Sequence, residues 1–134
     1  MPSHLDPYLS FKANAREAMD FYKTVFGGEL TVSPFGDMAH APEEKDLVMH
    51  SQLVVPNGFW LMGSDTPANM GEPKANSAVS LSGDDEAELR GYWDKLSAGA
   101  NITQPLQKAP WGDSFGMLVD KFGTPWLVNI AGQH

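Results

Sequence analysis

The feature that most constrains the fold of this chain is an imperfect internal repeat. The pair Phe21-Tyr22 recurs as Tyr92-Trp93 after 71 residues, and Gly27 recurs as Gly99 after 72. Self-similarity at a nearly fixed spacing indicates that one supersecondary unit occurs twice. We therefore expect two similar modules, each made of a helix packed on a small sheet.

Hydrophobic periodicity gives both modules the order βαβββ. The predicted elements of the first are a strand from Leu5 to Phe11, a helix over about 14–26, and strands at Glu29–Phe35, Leu47–Val55 and Phe59–Gly63. Those of the second are a strand at Ser77–Ser82, a helix from about Asp85 to Ala98, and strands near 102–107, 114–120 and 125–131. Asn14 and Glu17 have the spacing of a capping box at the start of the first helix.

The 134 residues are enough for one domain with a single core, so 1–134 is predicted to be one domain. Within it, module 1 covers about 1–63 and module 2 about 77–134. Residues 64–76 are rich in Pro, Gly and Asn, and they are predicted to form a bridging loop.

Composition excludes several classes of function. The net charge is -8 and no Lys/Arg cluster occurs, so we expect no nucleic-acid partner. There is no signal-peptide pattern and no apolar run near the roughly 20 residues of a membrane span, so we expect a soluble protein without a membrane partner. Cysteine is absent, which excludes thiolate sites and agrees with a cytoplasmic protein.

Six motifs spread over the whole chain carry a family resemblance. They are P-Y-L-S-F at 7–11, A-M-D-F-Y at 18–22, F-G-G-E-L at 26–30, F-G-D-M at 35–38, M-G-S-D at 62–65 and D-K-F-G-T-P-W-L-V-N at 120–129. The chain resembles the PhnB-like family of the vicinal-oxygen-chelate (VOC) superfamily, which includes glyoxalase I, bleomycin-resistance proteins and extradiol dioxygenases. The resemblance implies an α+β fold in which two βαβββ modules form a curved eight-stranded cup (glyoxalase/bleomycin-resistance/dioxygenase-like), and it implies a homodimer.

Some members of this family carry a methyltransferase label. The sequence does not support that activity here, because no predicted strand is followed by a glycine-rich cofactor loop. A phosphonate ligand is not predicted either, since the chain has only 9 basic residues.

The resemblance also implies where metal-using members hold their ion, on the first and last strand of each module. In this chain those positions fall near Asp6, Met62, Ala78 and Leu127. Only Asp6 offers a suitable donor, whereas a divalent site needs three or more His or carboxylate ligands. We therefore predict no cofactor. A divalent metal (Zn, Ni, Mn or Fe), or a relocated site that uses His50, is the disfavoured alternative.

A small-molecule pocket is predicted on the cavity side of the cup. Its predicted lining is Asp6, Tyr8, Ser10, His50, Gln52, Met62, Trp111 and Asn129. His50 lies mid-strand with Gln52 on the same face, where it is a candidate general base or hydrogen-bond donor. A structural histidine is the commoner alternative. Trp111 either stacks on a ligand at the pocket mouth or fills a dimer seam.

The polar loop from Gly36 to Asp46 is the main difference between the two modules. It is predicted to be a lid, a segment that reaches a second subunit, or a disordered loop.

Three hypotheses for function follow. The favoured one is a metal-independent small-molecule binding protein of the PhnB-like type. The second is an enzyme, either a VOC-type metalloenzyme (lyase, isomerase or dioxygenase) or a metal-free enzyme with His50 as base. The third is a bleomycin-resistance-type drug-sequestering protein with an acidic groove. The identity of the substrate or ligand is not encoded in any motif.

Overall fold

A computed structural model describes residues 5–39, 41–68, 71–72 and 76–132. The first module contains β1 (Tyr8–Phe11), α1 (Ala15–Phe26), β2 (Glu29–Pro34), β3 (Val48–Val54) and β4 (Trp60–Asp65). The second contains β5 (Val79–Gly83), α2 (Glu86–Leu96), β6 (Asn101–Lys108), β7 (Ser114–Val119) and β8 (Pro125–Ile130). The chain divides into two compact units, 1–75 and 76–134.

The two units share one topology. The first sheet has the strand order β1-β4-β3-β2 and the second has β5-β8-β7-β6. In each sheet the first and last strands of the module pair in parallel, and the other neighbours are antiparallel. The β3–β4 and β7–β8 hairpins also match, with Gly58 at φ 99° and Gly123 at φ 90° in equivalent turns. The predicted α+β fold with two βαβββ modules is confirmed.

In the first unit, α1 packs on one face of its sheet. Leu9 and Phe11 of β1 are buried on that face, as period-two alternation predicts. Gly63 of β4 lies beneath the helix, because a Cβ there would be 3.2 Å from both Met19 Sδ and Phe11 Cε2. The opposite face of the sheet points away from α1.

The N-terminus of α1 is capped differently from the prediction. Asn14 occupies the N-cap position but its side chain makes no capping hydrogen bond, so the predicted Asn14–Glu17 capping box is wrong. Instead, the buried Asp65 carboxylate accepts hydrogen bonds from the backbone N–H groups of Ala15, at 2.9 Å, and Val48, at 2.8 Å. Strand β4 accordingly runs to Asp65, two residues beyond its predicted end at Gly63, and shortens the predicted bridging loop.

In the second unit, the motif D-K-F-G-T-P-W has a structural role. The Asp120 carboxylate is only 4% exposed, and it accepts hydrogen bonds from the backbone N–H groups of Phe122 and Thr124 and from Trp126 Nε1–H. These three donors satisfy the buried carboxylate, and the hydrogen bonds hold the β7–β8 turn together and link it to the Trp126 ring. This motif therefore specifies a turn and a core contact.

The loop between β2 and β3 is closed by backbone pairing over its described residues. The N–H groups of Phe35 and Gly36 donate to Leu47 O and Lys45 O, and two short 3-10 turns, Gly36–Met38 and Pro42–Glu44, fill the interior. The Glu44 carboxylate accepts from the Ala68 N–H at 2.8 Å. The lid and subunit-contact hypotheses for this loop remain predictions.

Within the described parts of the chain, neither helix has the length and apolar character that crossing a membrane requires.

Candidate functional site

The face of the first sheet opposite α1 carries most of the predicted pocket residues. Strand register aligns Tyr8 with Met62, Met62 with Gln52, and Gln52 with Thr31, which forms one row across all four strands. Residues paired in register project on the same side of a sheet. Because their neighbours Leu9, Leu53 and Leu61 are buried, this row lies on the outer face.

His50 stands next to this row. It pairs with Ser33 of β2, and its ring lies 6.0 Å from the Tyr8 ring, centroid to centroid, with a tilt of 32°. Tyr8 is 48% exposed and His50 is half-buried. Both rings can therefore contact a molecule placed on this face. We name the set Tyr8, Ser10, His50, Gln52 and Met62 the outer face of module 1.

The outer face of module 1 combines three kinds of interaction. The Tyr8 and His50 rings offer stacking surface, and the Met62 thioether offers a polarisable and adaptable contact. Gln52 and His50 supply both hydrogen-bond donors and acceptors. An aromatic or apolar ligand with one or two polar groups matches this combination.

Asp6 lies outside the strand in which it was predicted, because β1 begins at Tyr8 and the expected strand began at Leu5. The Met62 N–H donates to Pro7 O at 3.1 Å, which places the segment containing Asp6 beside the middle of β4. Asp6 itself is half-buried.

The chemistry of the expected ligand positions does not fit a divalent metal. Across the parallel pairs, Tyr8 is aligned with Met62 and Ser80 with Leu127, and neither pair contains a His or carboxylate. Among the described residues, no group of three or more His, Cys, Asp or Glu side chains is arranged to hold an ion. Asp6 is the one carboxylate at the four predicted positions, and a single carboxylate does not make a site.

The remaining predicted residues, Trp111 and Asn129, belong to the second unit. Trp111 is 59% exposed in the turn before β7, and its ring contacts the Phe115 ring edge-on at 5.9 Å. Asn129 of β8 is aligned with Phe115 on one side and Ser82 on the other. The structure thus brings Trp111, Phe115 and Asn129 to one region of the second sheet, on the face away from α2.

Two residues that contribute to this region of the second sheet are not among the site residues predicted from the sequence. Phe115 lies between Trp111 and Asn129, and Asp113 accepts a hydrogen bond from Asn129 Nδ2 at 3.1 Å. Period-two alternation within W-G-D-S-F-G would have placed Phe115 two residues before Met117 on the same face. The Asp113 contact joins residues 16 apart, so no local pattern indicates it.

Comparison with known proteins identifies the family. A family model described as 3-demethylubiquinone-9 3-methyltransferase matches residues 3–129. The chain belongs to this PhnB-like family. Protein PA1353 from Pseudomonas aeruginosa is 36% identical, with 98% of this chain and 100% of that one covered and a TM-score of 0.85.

The PhnB protein from Bacillus cereus is 26% identical, with 96% and 100% of the two chains covered and a TM-score of 0.76. A glyoxylase/bleomycin resistance protein/dioxygenase domain from Frankia sp. EAN1pec covers 99% of both chains at 16% identity and a TM-score of 0.68, which is a likeness of fold. The predicted membership of the PhnB-like branch and its fold are confirmed.

Proposed function

We propose that this PhnB-like protein binds a small aromatic or apolar molecule on the outer face of module 1 without a metal ion. The observation that carries the proposal is the pairing of Tyr8 with His50, at 6.0 Å, beside Gln52 and Met62 on one partly exposed sheet face. Aromatic and apolar side chains beside a few convergent polar groups are the usual lining of a small-molecule site.

The metal-independent part of the proposal rests on donor chemistry. At the aligned positions of β1 and β4 stand a phenol ring and a thioether, which bind hard or borderline divalent ions poorly. The corresponding pair in the second module, Ser80 and Leu127, adds one hydroxyl. Ligand binding then depends on stacking and hydrogen bonds from the protein alone.

Methyl transfer is not proposed, although the family description names it. Each described sheet has one parallel strand pair and no strand followed by a G-x-G-x-x-G-type loop, which is the arrangement that binds a nucleotide-like cofactor in doubly wound folds.

A binding experiment tests the proposed function. Chelator-treated, isotope-labelled protein is titrated with a library of aromatic fragments, and amide chemical shifts are followed by NMR. We expect shifts centred on Tyr8, His50 and Gln52. Replacing Tyr8 by Leu removes one stacking contact and is expected to weaken binding about five- to tenfold, since such contacts are worth about 1 kcal/mol.

Phe59→Leu is the matched control, because Phe59 is a partly exposed ring of the same module that contacts Phe26 of α1. It should bind fragments as the unmodified protein does. Equal losses in both variants, or fragment binding only after a divalent ion is added, would contradict the proposal.

A second candidate is a metal-free reaction with His50 as general base. It is favoured by the partial exposure of His50 on the outer face of module 1, since a base must reach its substrate. Proton abstraction next to a carbonyl would appear as deuterium incorporation into carbonyl compounds in D₂O. A His50→Gln variant that retains binding but loses this exchange would establish the enzyme; absence of exchange in the unmodified protein would leave binding alone.

We also propose the homodimer that the family resemblance implies, which sedimentation equilibrium would test. The drug-sequestering alternative predicts instead that a cationic glycopeptide binds with strong salt dependence.

A further inference from the structure

The side-chain amide of Asn129 is held in one orientation by two neighbouring contacts. Its Nδ2 donates to Asp113 Oδ2 at 3.1 Å, while the other carboxylate oxygen, Oδ1, accepts from the Gly132 N–H at 2.9 Å. An ionised carboxylate only accepts hydrogen bonds, so the Asn129 amide must turn its NH₂ group toward Asp113. The Oδ1 oxygen of Asn129 is therefore the end of the amide that faces away from Asp113.

The turn that carries Asp113 is itself fixed. The Ala109 N–H donates to Asp113 O at 2.7 Å and the Gly112 N–H donates to Ala109 O at 3.0 Å. A Cβ at Gly132 would overlap the Gly112 carbonyl oxygen, so the turn lies directly against residue 132. Asp113 is thus positioned by backbone contacts, and Asn129 is positioned by Asp113.

The free end of the amide is its Oδ1 oxygen. Among the residues that the structure describes, no other side-chain hydrogen bond of Asn129 is formed. Oδ1 is therefore an acceptor on the face of the second sheet away from α2, where Asn129 is in register with Phe115. The Trp111 ring, more than half exposed, stands beside Phe115.

We infer that Asn129, Phe115 and Trp111 form a subsite for a planar ring that carries an N–H or O–H donor. The ring stacks on the exposed indole of Trp111, and its donor meets Asn129 Oδ1. A planar molecule that offers only an acceptor at this place would face a second acceptor and lose a hydrogen bond. The inference concerns the second unit alone: it extends the proposed binding of small aromatic molecules to this surface and names the chemical class of ligand that the surface takes.

A substitution at Asp113 tests the orientation directly. In Asp113→Asn, the new amide keeps its oxygen on the Gly132 N–H and turns its NH₂ group toward Asn129. Asn129 must then rotate to offer Oδ1 to that NH₂ group, which presents its own NH₂ group at the subsite. The preference of the subsite should therefore change from donor-bearing to acceptor-bearing rings.

The probes are three bicyclic fragments of similar size: indole, which has an N–H donor, 1-methylindole, which lacks it, and quinoline, which has an acceptor nitrogen. Binding is followed by NMR through the Trp111 Nε1–H and the Asn129 side-chain amide signals. For the unmodified protein we expect indole to bind about fivefold more tightly than 1-methylindole or quinoline, the effect of one net hydrogen bond.

Two variants complete the test. Asp113→Asn should bind quinoline more tightly than indole, and Asn129→Leu should bind all three fragments alike. Asn101→Leu, at an exposed position of β6, is the matched control and should keep the preference for indole. Amide spectra check that each variant is folded.

The outcomes separate the two proposals. Equal affinity of the unmodified protein for indole, 1-methylindole and quinoline overturns the donor-selective subsite and leaves small-molecule binding in place. An unchanged preference for indole in Asp113→Asn also overturns it, because the orientation would not depend on the carboxylate. If none of these fragments and no member of the aromatic library binds, both the subsite and the proposed function fail.

Discussion

Replacing Asp65 by Ala should destabilise the protein far more than any single surface change. The carboxylate is buried and accepts from two backbone N–H groups, one at the N-terminus of α1 and one at the start of β3. Each hydrogen bond to a charged acceptor contributes about 1.5–3 kcal/mol, and alanine would leave both donors buried without a partner. We expect a loss of about 3–5 kcal/mol in the free energy of unfolding.

For a chain of this length, the entropy of unfolding converts that loss into a fall in Tm of about 11–18 °C. The assay is thermal and urea unfolding followed by circular dichroism, together with hydrogen exchange of the Ala15 and Val48 amides. Exchange at these two amides should accelerate more than exchange elsewhere in module 1, since both lose their acceptor.

Asp85→Ala is the matched control. Asp85 is exposed and caps α2 through one hydrogen bond, from the Glu88 N–H at 3.0 Å, so its removal should cost about 1 kcal/mol. If Asp65→Ala lowers stability no more than Asp85→Ala does, the assignment of Asp65 as the link between helix, strand and core is wrong.

Two further predictions concern the second unit. Asp120→Ala should cost about 3 kcal/mol and shift the Trp126 fluorescence to longer wavelength, because the hairpin loses three hydrogen bonds; unchanged emission would contradict this. Gly116→Ala should cost about 1–3 kcal/mol, since its Cβ would lie 2.8 Å from Trp93 Cη2, whereas Gly91→Ala, in open space on α2, should stabilise by about 1 kcal/mol. Urea unfolding measures the free energy of unfolding of both glycine variants. A change of the same sign in the two variants would contradict the packing argument.

The duplicated fold was predictable because its signals are local. Each helix has an apolar face of regular period and a glycine at or soon after its end, and Gly27 and Gly99 have positive φ values that favour this residue. The turns around Gly58 and Gly123 are also specified by the residues within them. Where the information lies within a few residues, the sequence-based boundaries agree with the structure to within about three residues.

Contacts between distant residues were not predictable in the same way. The turn-like composition of S-D-T-P predicts that Asp65 lies in a bridging loop, yet Asp65 caps a helix that begins 50 residues earlier. Asn14 had the right spacing for a local cap and is not used. The Asp65 carboxylate accepts the hydrogen bond that a local cap would accept, and nothing in the sequence of α1 indicates this.

In the candidate site, too, local patterns were informative and contacts between distant residues were not predictable. Alternation predicts that Tyr8 and Ser10 share one face of β1 and that His50 and Gln52 share one face of β3, because side-chain direction in a strand depends only on parity. The contact of Tyr8 with His50 depends on strand register, and the fixed orientation of Asn129 depends on a turn in another part of the chain. These features emerge only when the sheets are assembled.

Metal content by mass spectrometry decides between metal-free and metal-dependent binding. Untagged protein is incubated separately with Ni, Zn, Mn and anaerobic Fe(II), desalted, and then titrated with the aromatic fragments that the chelator-treated protein binds. We expect no ion to be retained in a fixed ratio to protein and the same fragment affinity in every sample. One tightly held ion per chain, with fragment binding that depends on it, would contradict metal-independent binding.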